Sequence, residues 1–346
     1  MTLNDLPDEI IYEIMELVPP SDQAALCGTS QRLHILGVPV LYRVVALSER
    51  APIEAFCATV LSNLPKFAEL VRSFEVIAGY RVSSMLDNSP ALADTCKALQ
   101  RIETLALDSF LHNTCWRMQA GTFPHLVSCT LSTVEGGRWA STAHADRIAA
   151  FLGRHLALEC IWIGNHPNFE VWPAAATRIP MRSLRRLRAP PKFLACIAEA
   201  RLKEVRMEWS SAFEQVGATF TTLRELAADG VPFTCAVECW AEQVEEIADA
   251  VSKHMPQTRT LHMVLQTLQQ LRDIMPCLAR CLPSLTDLTF LSLVNVMPDH
   301  RTLFSSNVQA FQTKALVEVC PTLQACRFNN AAWRKVGGDV GGISRE

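Results

Sequence analysis

The chain has 346 residues and a net charge of −3, and 49% of its residues are hydrophobic while 19% are charged. This balance supports a large continuous core and argues against long disordered stretches. We therefore expect no nucleic-acid or membrane partner, because the charge is near neutral and no apolar run is long enough to span a bilayer.

Three short amphipathic helices are predicted at the start of the chain. The first helix begins just after Pro7 and is ended by Pro19 and Pro20. Ser21 or Asp22 then caps the second helix. Helices this short bury little between themselves, so they need another surface to complete a core. Their apolar positions are Ile10, Ile11, Ile14, Leu17 and Val18, then Ala24, Ala25 and Leu26, then Leu33, Leu36, Val40 and Leu41.

Residues 1–45 resemble an F-box, the helical module through which many proteins dock onto a cullin-RING ubiquitin ligase. The resemblance rests on Leu6-Pro7-Asp8-Glu9, the two-proline break, Gly28-Thr29-Ser30-Gln31-Arg32-Leu33 and Leu41-Tyr42-Arg43-Val44. Gln23 departs from the family pattern, which has an aliphatic residue there, and we expect it to loosen the second helix.

The F-box resemblance implies a partner, the ligase adaptor protein that bridges to cullin. The alternative is that these helices only cap the domain that follows, as the ends of a solenoid require. Carried onto this chain, the adaptor-binding positions are Leu6, Pro7, Ile10, Ile14, Leu17 and Leu26.

Residues 46–70 are predicted to form a linking helix, because Phe56, Val60, Leu61 and Leu64 make one apolar stripe. From Val71 to Lys335 a signature of the form apolar-x-x-apolar-x-apolar then recurs, often after a proline. It is similar to the strand portion of leucine-rich repeats. The signatures start at Val71, Ile102, Leu126, Leu158, Leu184, Leu202, Leu223, Thr258, Leu285 and Leu323.

Helical periodicity separates these strands, at Trp139–His155, Ala236–His254, Leu265–Leu282 and His300–Cys320. The fold class expected is therefore α/β, with a short all-α F-box followed by an irregular leucine-rich-repeat-like solenoid at 71–335. Its parallel strands would line the concave face, with helices outside. A doubly wound α/β domain is the alternative.

The closing Cys-Pro-x-Leu before Trp333 resembles the same motif in fungal F-box family proteins. The glycine-rich residues 336–346 are expected to form a flexible tail.

The 13 cysteines are scattered among apolar neighbours, and Asp5, Asp8 and Glu9 lie where a secretion signal needs apolar residues. Reduced thiols in the cytoplasm or nucleus fit this pattern. Two pairs, Cys235 with Cys239 and Cys277 with Cys281, are each spaced by four on predicted helices. Helix-core cysteines explain them better than a metal site, which usually needs four ligands.

No GxSxG, HExxH or Walker A motif is present. The glycine run at 337–342 is followed by too few residues for the helix that a phosphate loop requires. We expect a protein that is not an enzyme and has no cofactor, although a triad assembled from distant residues remains an alternative.

The expected function is that of a substrate-recognition adaptor in an SCF-type ubiquitin ligase, whose repeat domain binds an unknown protein client. The alternative is a non-catalytic repeat scaffold whose F-box-like helices only cap the solenoid.

The client surface is expected on the exposed strand face, where each signature has one residue between its last two apolar positions. Trp162, Arg188 and Arg206 occupy that position and should form one row, with Arg186 beside them. An aromatic ring among guanidinium groups is typical of a partner anchor for an acidic or phosphorylated segment. The alternative is a solvated surface in which Glu204 and Glu208 pair with the arginines. The same position falls at Thr130 and Ala227 in other signatures.

Overall fold

The structure is a computed structural model that describes residues 5–62, 64–77, 89–108, 122–132, 148–164, 178–209, 215–266, 271–296, 306–329, 331–335 and 343–345. The chain forms two compact units. The first comprises residues 1–138 and 146–158, and the second comprises 139–145 and 159–346. N-terminal helices precede mostly parallel strands that alternate with helices, which confirms the expected fold class of a leucine-rich-repeat-like α/β solenoid.

Three helices open the first unit: α1 (Asp8–Leu17), α2 (Pro20–Cys27) and α3 (Gln31–Leu41). Helix α1 ends at Leu17 because Val18 is extended, as the residue before a proline prefers. Helix α2 begins with proline at its first position, so the predicted cap residues Ser21 and Asp22 lie inside its first turn instead of before it.

In the described residues, the rest of the first unit contains four parallel strands, three helices between them and a further helical stretch at 148–152. The strands pair in sequence order, and their buried positions Val45, Phe74, Leu105 and Cys129 form one ladder. The elements are β1 (Val44–Leu47), α4 (Arg50–Ser62), α5 (Leu64–Ala68), β2 (Ser73–Val76), α6 (Pro90–Ala98), β3 (Thr104–Asp108) and β4 (Ser128–Ser132).

In the described part of the second unit, three strands of the main sheet come first. Strands β5 (Cys160–Ile163), β7 (Arg186–Ala189) and β9 (Glu204–Glu208) pair in parallel. A separate pair of two-residue strands, β6 (Ile179–Pro180) and β8 (Ile197–Ala198), flanks β7 in sequence. A 3₁₀ turn at Pro191–Cys196 lies between β7 and β8.

The second unit continues with helices between longer strands and closes with two antiparallel strands. The elements are α7 (Val216–Leu226), β10 (Phe233–Cys239), α8 (Val244–His254), β11 (Thr258–Leu265), α9 (Leu271–Cys281), β12 (Phe290–Asn295), α10 (Ser306–Val319), β13 (Ala325–Phe328), β14 (Ala331–Lys335) and β15 (Ile343–Arg345).

Alternate residues of the strands are buried, as on β10, where Phe233, Cys235, Val237 and Cys239 are inside. Within each unit the strands of the main sheet follow one another in chain order without reversal. A doubly wound domain would reverse that order at a switch point, so the strand order favours the solenoid.

Several expected element positions are wrong. The signature at Leu223 is not a strand, because Leu223 and Leu226 belong to α7 and Ala227 makes only an isolated bridge to Leu202. The strand of that repeat is β10, whose second half the sequence had assigned to the helix Ala236–His254. Helix α8 begins only at Val244.

The boundaries of the solenoid also differ from the expectation. Strand β1 pairs with β2 and begins at Val44, so residues 46–70 hold the end of a strand and two helices instead of one linking helix. In the expected tail, Ile343–Arg345 pairs with β14, while 336–342 lie outside the described residues. Most of the predicted helix Trp139–His155 is also outside them, and residues 148–152 are helical.

Among the residues that the structure describes, no helix is both long and apolar enough to cross a membrane.

Candidate functional site

The apolar residues of α1 divide between two faces. Ile11 and Met15 are buried in a core with Cys27, Leu33 and Val38. In contrast, Ile10 is 40% exposed and Leu17 is 85% exposed, with Ile14 half-buried between them. Their spacing of four and three places Ile10, Ile14 and Leu17 along one side of the helix. We call these three residues the α1 stripe.

The six predicted adaptor-binding residues differ in their exposure to solvent. Leu6 and Leu26 pack against the helical core and are partly buried, so they support the module. Pro7 is exposed at the start of α1, and its carbonyl accepts from Ile11 N at 3.1 Å. The remaining three form the α1 stripe. Pro7 and the stripe are therefore the predicted positions with the most accessible apolar surface.

Gln23 is buried and joins α2 to the end of α1. Its Nε2 donates to the carbonyl oxygens of Met15 at 2.8 Å and Val18 at 3.0 Å. The fourth residue after Met15 is Pro19, which has no N–H to give to that carbonyl. Gln23 supplies the missing donor, so the expectation that it loosens the second helix is wrong.

Arg32 of α3 holds the Leu6-Pro7-Asp8 segment in place. Its guanidinium pairs with the Asp8 carboxylate, and Nη2 donates to Leu6 O at 2.7 Å. Ser30 fixes the start of the same helix, because its Oγ accepts from Leu33 N at 3.2 Å. The sequence identified Arg32 only as part of a motif and did not predict its contact with Leu6 and Asp8.

Ile35 of α3 is an exposed apolar residue that sequence reasoning missed, with 61% of its surface accessible. The predicted apolar side of this helix contained Leu33, Leu36 and Val40. The helical period places Ile35 away from that side, which was a signal that it points outward.

On the strand face of the second unit, Trp162, Arg188 and Arg206 lie side by side in one row, as predicted. The register pairs Trp162 with Arg188 and Arg188 with Arg206. Arg186 is exposed two residues earlier, between Cys160 and Glu204. Ala227 is not in this row; Ala236 of β10 takes the place beside Arg206. We call Trp162, Arg186, Arg188 and Arg206 the strand-face patch.

Two of the arginines in the strand-face patch are already paired. Arg188 pairs with the Glu208 carboxylate, and Arg206 lies 3.9 Å from the same carboxylate. Arg206 also lies 3.4 Å from Glu238, which accepts from Gln266 at 2.7 Å. The Arg188 guanidinium carbon is 4.1 Å from the centroid of the Trp162 ring. The acidic neighbours therefore offset much of the positive charge.

The row continues from Ala236 to His262 and Ser292, and then to Arg327. The pKa of His262 is lowered by partial burial and by the nearby charges of Arg327 and Arg206. These cations favour the neutral imidazole. The strand face is thus a mixed polar surface with an aromatic residue at one end.

The cysteine pairs have the chemistry of packed thiols. Cys235 and Cys239 lie on strand β10, not on a helix, and burial raises the pKa of each thiol to about 12. Cys277 and Cys281 share helix α9, and burial raises the pKa of Cys277 to about 11. Within the described ranges, no group of three or more His, Cys, Asp or Glu side chains is placed to hold a metal ion.

A comparison with protein-family models matches residues 3–36 to the F-box domain. A comparison with curated proteins gives no match. The matched span covers the helices α1 and α2, the Arg32 contact and the whole α1 stripe. The chain therefore carries an F-box domain at residues 3–36, and a large α/β region of mostly parallel strands follows it.

Proposed function

We propose that the chain is a substrate-recognition adaptor of an SCF-type cullin-RING ubiquitin ligase. The F-box docks the ligase adaptor protein that bridges to cullin, and the α/β region binds a protein client. One observation carries the proposal: the matched F-box helices have a buried core of their own and still present the α1 stripe on their outer side.

The exposed stripe favours docking over the alternative of a cap. A terminal cap needs a polar outer face. Here Ile10 and Leu17 are exposed instead. Fully burying an exposed aliphatic side chain is worth about 1.5–3 kcal/mol, which applies to Leu17, and the gain for Ile10 is smaller because it is already partly covered. A partner that covers the stripe gains part of this free energy on binding.

In this proposal the chain acts by bringing two proteins together. A client held on the α/β region is kept close to the ubiquitin-charged enzyme, so its effective concentration there is high. In this proposal the other ligase subunits supply the transfer chemistry.

We propose the strand-face patch as the client surface. Trp162 gives a flat apolar anchor stacked by Arg188, and Arg186 adds an exposed guanidinium. Because Glu208 and Glu238 offset the charges of Arg188 and Arg206, recognition depends more on Trp162 and Arg186 than on a net positive field.

Co-purification with the ligase adaptor protein tests the docking step. The full chain should bind it, and the double variant Ile10→Asp, Leu17→Asp should not, because two carboxylates would be buried unpaired. Leu156→Asp, at an exposed leucine outside the F-box, is the control and should bind normally. Unchanged binding by the double variant would contradict the assignment of the stripe.

Reconstituted ubiquitin transfer tests the adaptor function. The purified chain with only a charged conjugating enzyme should transfer no ubiquitin. With the ligase adaptor protein, cullin and the RING subunit added, ubiquitin should appear on proteins that co-purify with the chain. Transfer by the chain alone would overturn the proposal.

A further inference from the structure

The segments that lead into β7, β9 and β10 line an open pocket of about 790 Å³ in the second unit. It lies at the amino-terminal ends of these strands, since its lining residues precede Arg186, Glu204 and Phe233. Four of the lining side chains are basic: Arg182, Arg185, Arg201 and Lys203. This pocket contains no member of the strand-face patch.

The acidic residues of the pocket neutralise only part of this charge. Arg182 pairs with Glu199, and Glu225 lies 4.0 Å from Arg178. The guanidinium of Arg185 donates to two main-chain carbonyls, those of Arg182 at 3.2 Å and Arg201 at 3.4 Å. These neutral partners hold the Arg185 side chain without cancelling its charge.

Three basic side chains of the lining are left without a carboxylate partner, and one further carboxylate of the lining offsets part of their charge. In the described part of the chain, neither Arg201 nor Lys203 has an ion-pair partner. Asp229 is the remaining acidic side chain of the lining. Arg185, Arg201 and Lys203 therefore leave the pocket with an excess of positive charge at an accessible surface.

A second pocket, of about 460 Å³, adjoins the first and shares Val231 with it. Its lining includes five threonine and glutamine side chains that precede β11, β12 and β13, such as Gln257, Thr289 and Gln324. Arg259 and Asp287 add one charge of each sign. Hydroxyl and amide groups suit the main chain of a bound peptide, because they can both donate and accept hydrogen bonds.

The two pockets together have the length of a short peptide. Five strand intervals separate β7 from β13 in the sheet order. At roughly 4.8 Å for each interval this is about 24 Å, which an extended segment of about seven residues spans.

We propose that these two pockets form one groove that binds an extended acidic segment of a partner protein. Side-chain carboxylates of the segment lie against Arg185, Arg201 and Lys203, and its main chain continues past Thr289 and Gln324. Arginine and lysine side chains close together favour an oxyanion, and Glu199 and Glu225 already have cationic partners in Arg182 and Arg178. The proposal does not rest on the proposed function, because none of the strand-face patch residues lines this groove.

A binding assay with the purified full chain tests the groove. The probe is a fluorescent heptapeptide library with two adjacent fixed glutamates, and the matched library carries glutamines there. The glutamate library should bind at least tenfold more tightly, and its affinity should fall as salt is raised. Equal affinity of the two libraries would overturn the proposal.

Variants locate the binding. Arg201→Glu with Lys203→Glu should abolish the tenfold preference. Lys253→Glu, which reverses an exposed charge on α8 outside both pockets and outside the strand-face patch, should keep it. A preference that survives the double reversal, or one that disappears in Lys253→Glu, would show that the groove is not the binding site.

Two further probes separate a peptide groove from a small-anion site. A tripeptide library with the same two glutamates should bind at least tenfold more weakly than the heptapeptides. Inorganic phosphate at the concentration of the peptide should displace little of it. Equal tripeptide affinity, or full displacement by phosphate, would overturn the groove. Ligase subunits are absent from the assay, so its failure is distinct from failure of the ligase adaptor function.

Discussion

The side-chain amide of Gln23 donates to the main-chain carbonyl of Met15 at 2.8 Å, across the junction between α1 and α2. We expect Gln23→Leu to destabilise the F-box by about 1–3 kcal/mol, because it leaves this buried carbonyl without a donor. Hydrogen exchange of the α1 amides should accelerate accordingly. Gln31→Leu, at an exposed position, is the control. Protection equal to wild type in Gln23→Leu would mean that the hydrogen bond contributes little.

Gly37 provides a second test of packing in the F-box. A Cβ there would lie 2.5 Å from Cys27 Sγ and 2.7 Å from Met15 Cε, so core side chains would have to move. We expect Gly37→Ala to cost about 1–3 kcal/mol of unfolding free energy in urea titrations. Gly217→Ala on α7 meets nothing within 4 Å and should be neutral or stabilise by up to about 1 kcal/mol. If the two variants behave alike, close packing at Gly37 is not the cause.

The placement of Leu6 and Leu17 separates docking from stability. Leu17→Ala should change the unfolding free energy by less than about 0.5 kcal/mol, because the side chain is exposed. Its affinity for the ligase adaptor protein should still fall tenfold or more, as measured by calorimetry. Leu6→Ala removes a contact with the helical core, so it should lower stability as well as binding. Full affinity in Leu17→Ala would exclude this residue from the interface.

The strand-face patch predicts a change in bound clients without a change in docking. Trp162→Ala combined with Arg186→Glu should remove proteins that co-purify with wild type, while the ligase adaptor protein stays bound. Arg224→Glu, on the exposed side of α7, serves as the control for charge reversal. Quantitative mass spectrometry of the two complexes measures the difference. An identical set of clients in both would rule out the patch.

His155 makes stability depend on pH. Its Nε2 accepts from Phe123 N at 3.0 Å, so Nδ1 carries the proton and donates to Phe151 O at 2.7 Å. Burial lowers the pKa of His155 below its ordinary value of 6.5. The unfolded chain therefore takes up a proton first, and the unfolding free energy should fall as pH drops below that value.

Urea titrations between pH 7.5 and 5.5 measure the effect of His155. The decline should be shallower in His155→Gln by at most about 1.4 kcal/mol per pH unit, the slope for one proton. His262, whose pKa is also lowered, contributes in the same direction, so some slope should remain. A variant with the full wild-type slope would show that His155 does not cause it.

The strand signatures were predictable where a turn precedes them. In Phe123-Pro124-His125-Leu126, Leu126 N donates to Phe123 O, and in Cys320-Pro321-Thr322-Leu323, Leu323 N donates to Cys320 O. Proline suits the second position of such a turn because its φ is fixed. The proline and the leucine thus mark where the chain enters the sheet.

One strand was predicted wrongly, because the spacing of its apolar residues fits a helix as well as the strand signature. Leu223 and Leu226 are three residues apart, which suits a helical turn as well as the signature, and the helix α7 buries both. Because the strand of that repeat was placed at Leu223, Glu238 was assigned to the predicted helix Ala236–His254 instead of to β10. Its ion pair with Arg206 on the strand face was therefore missed, while the Glu208 pair was foreseen from its position on β9.

The F-box site was recognisable as a block, but its inner and outer faces were not. Ile10 and Ile11 are adjacent and chemically identical, and only packing of α1 against α3 buries one of them and exposes the other. Long-range contacts such as those of Arg32 with Leu6 and Gln23 with Met15 depend on how the helices cross, which local periodicity does not specify.

The antiparallel strands β14 and β15 cover the edge of the parallel strands in the second unit. A parallel ladder that stopped at β13 would offer a row of free N–H and C=O groups, onto which another chain could add a strand. Here the chain turns back twice and pairs with itself, and the outermost strand among the described residues has three residues. A strand this short is a poor template for edge-to-edge association. The last turn of the chain thus gives the sheet a built-in end.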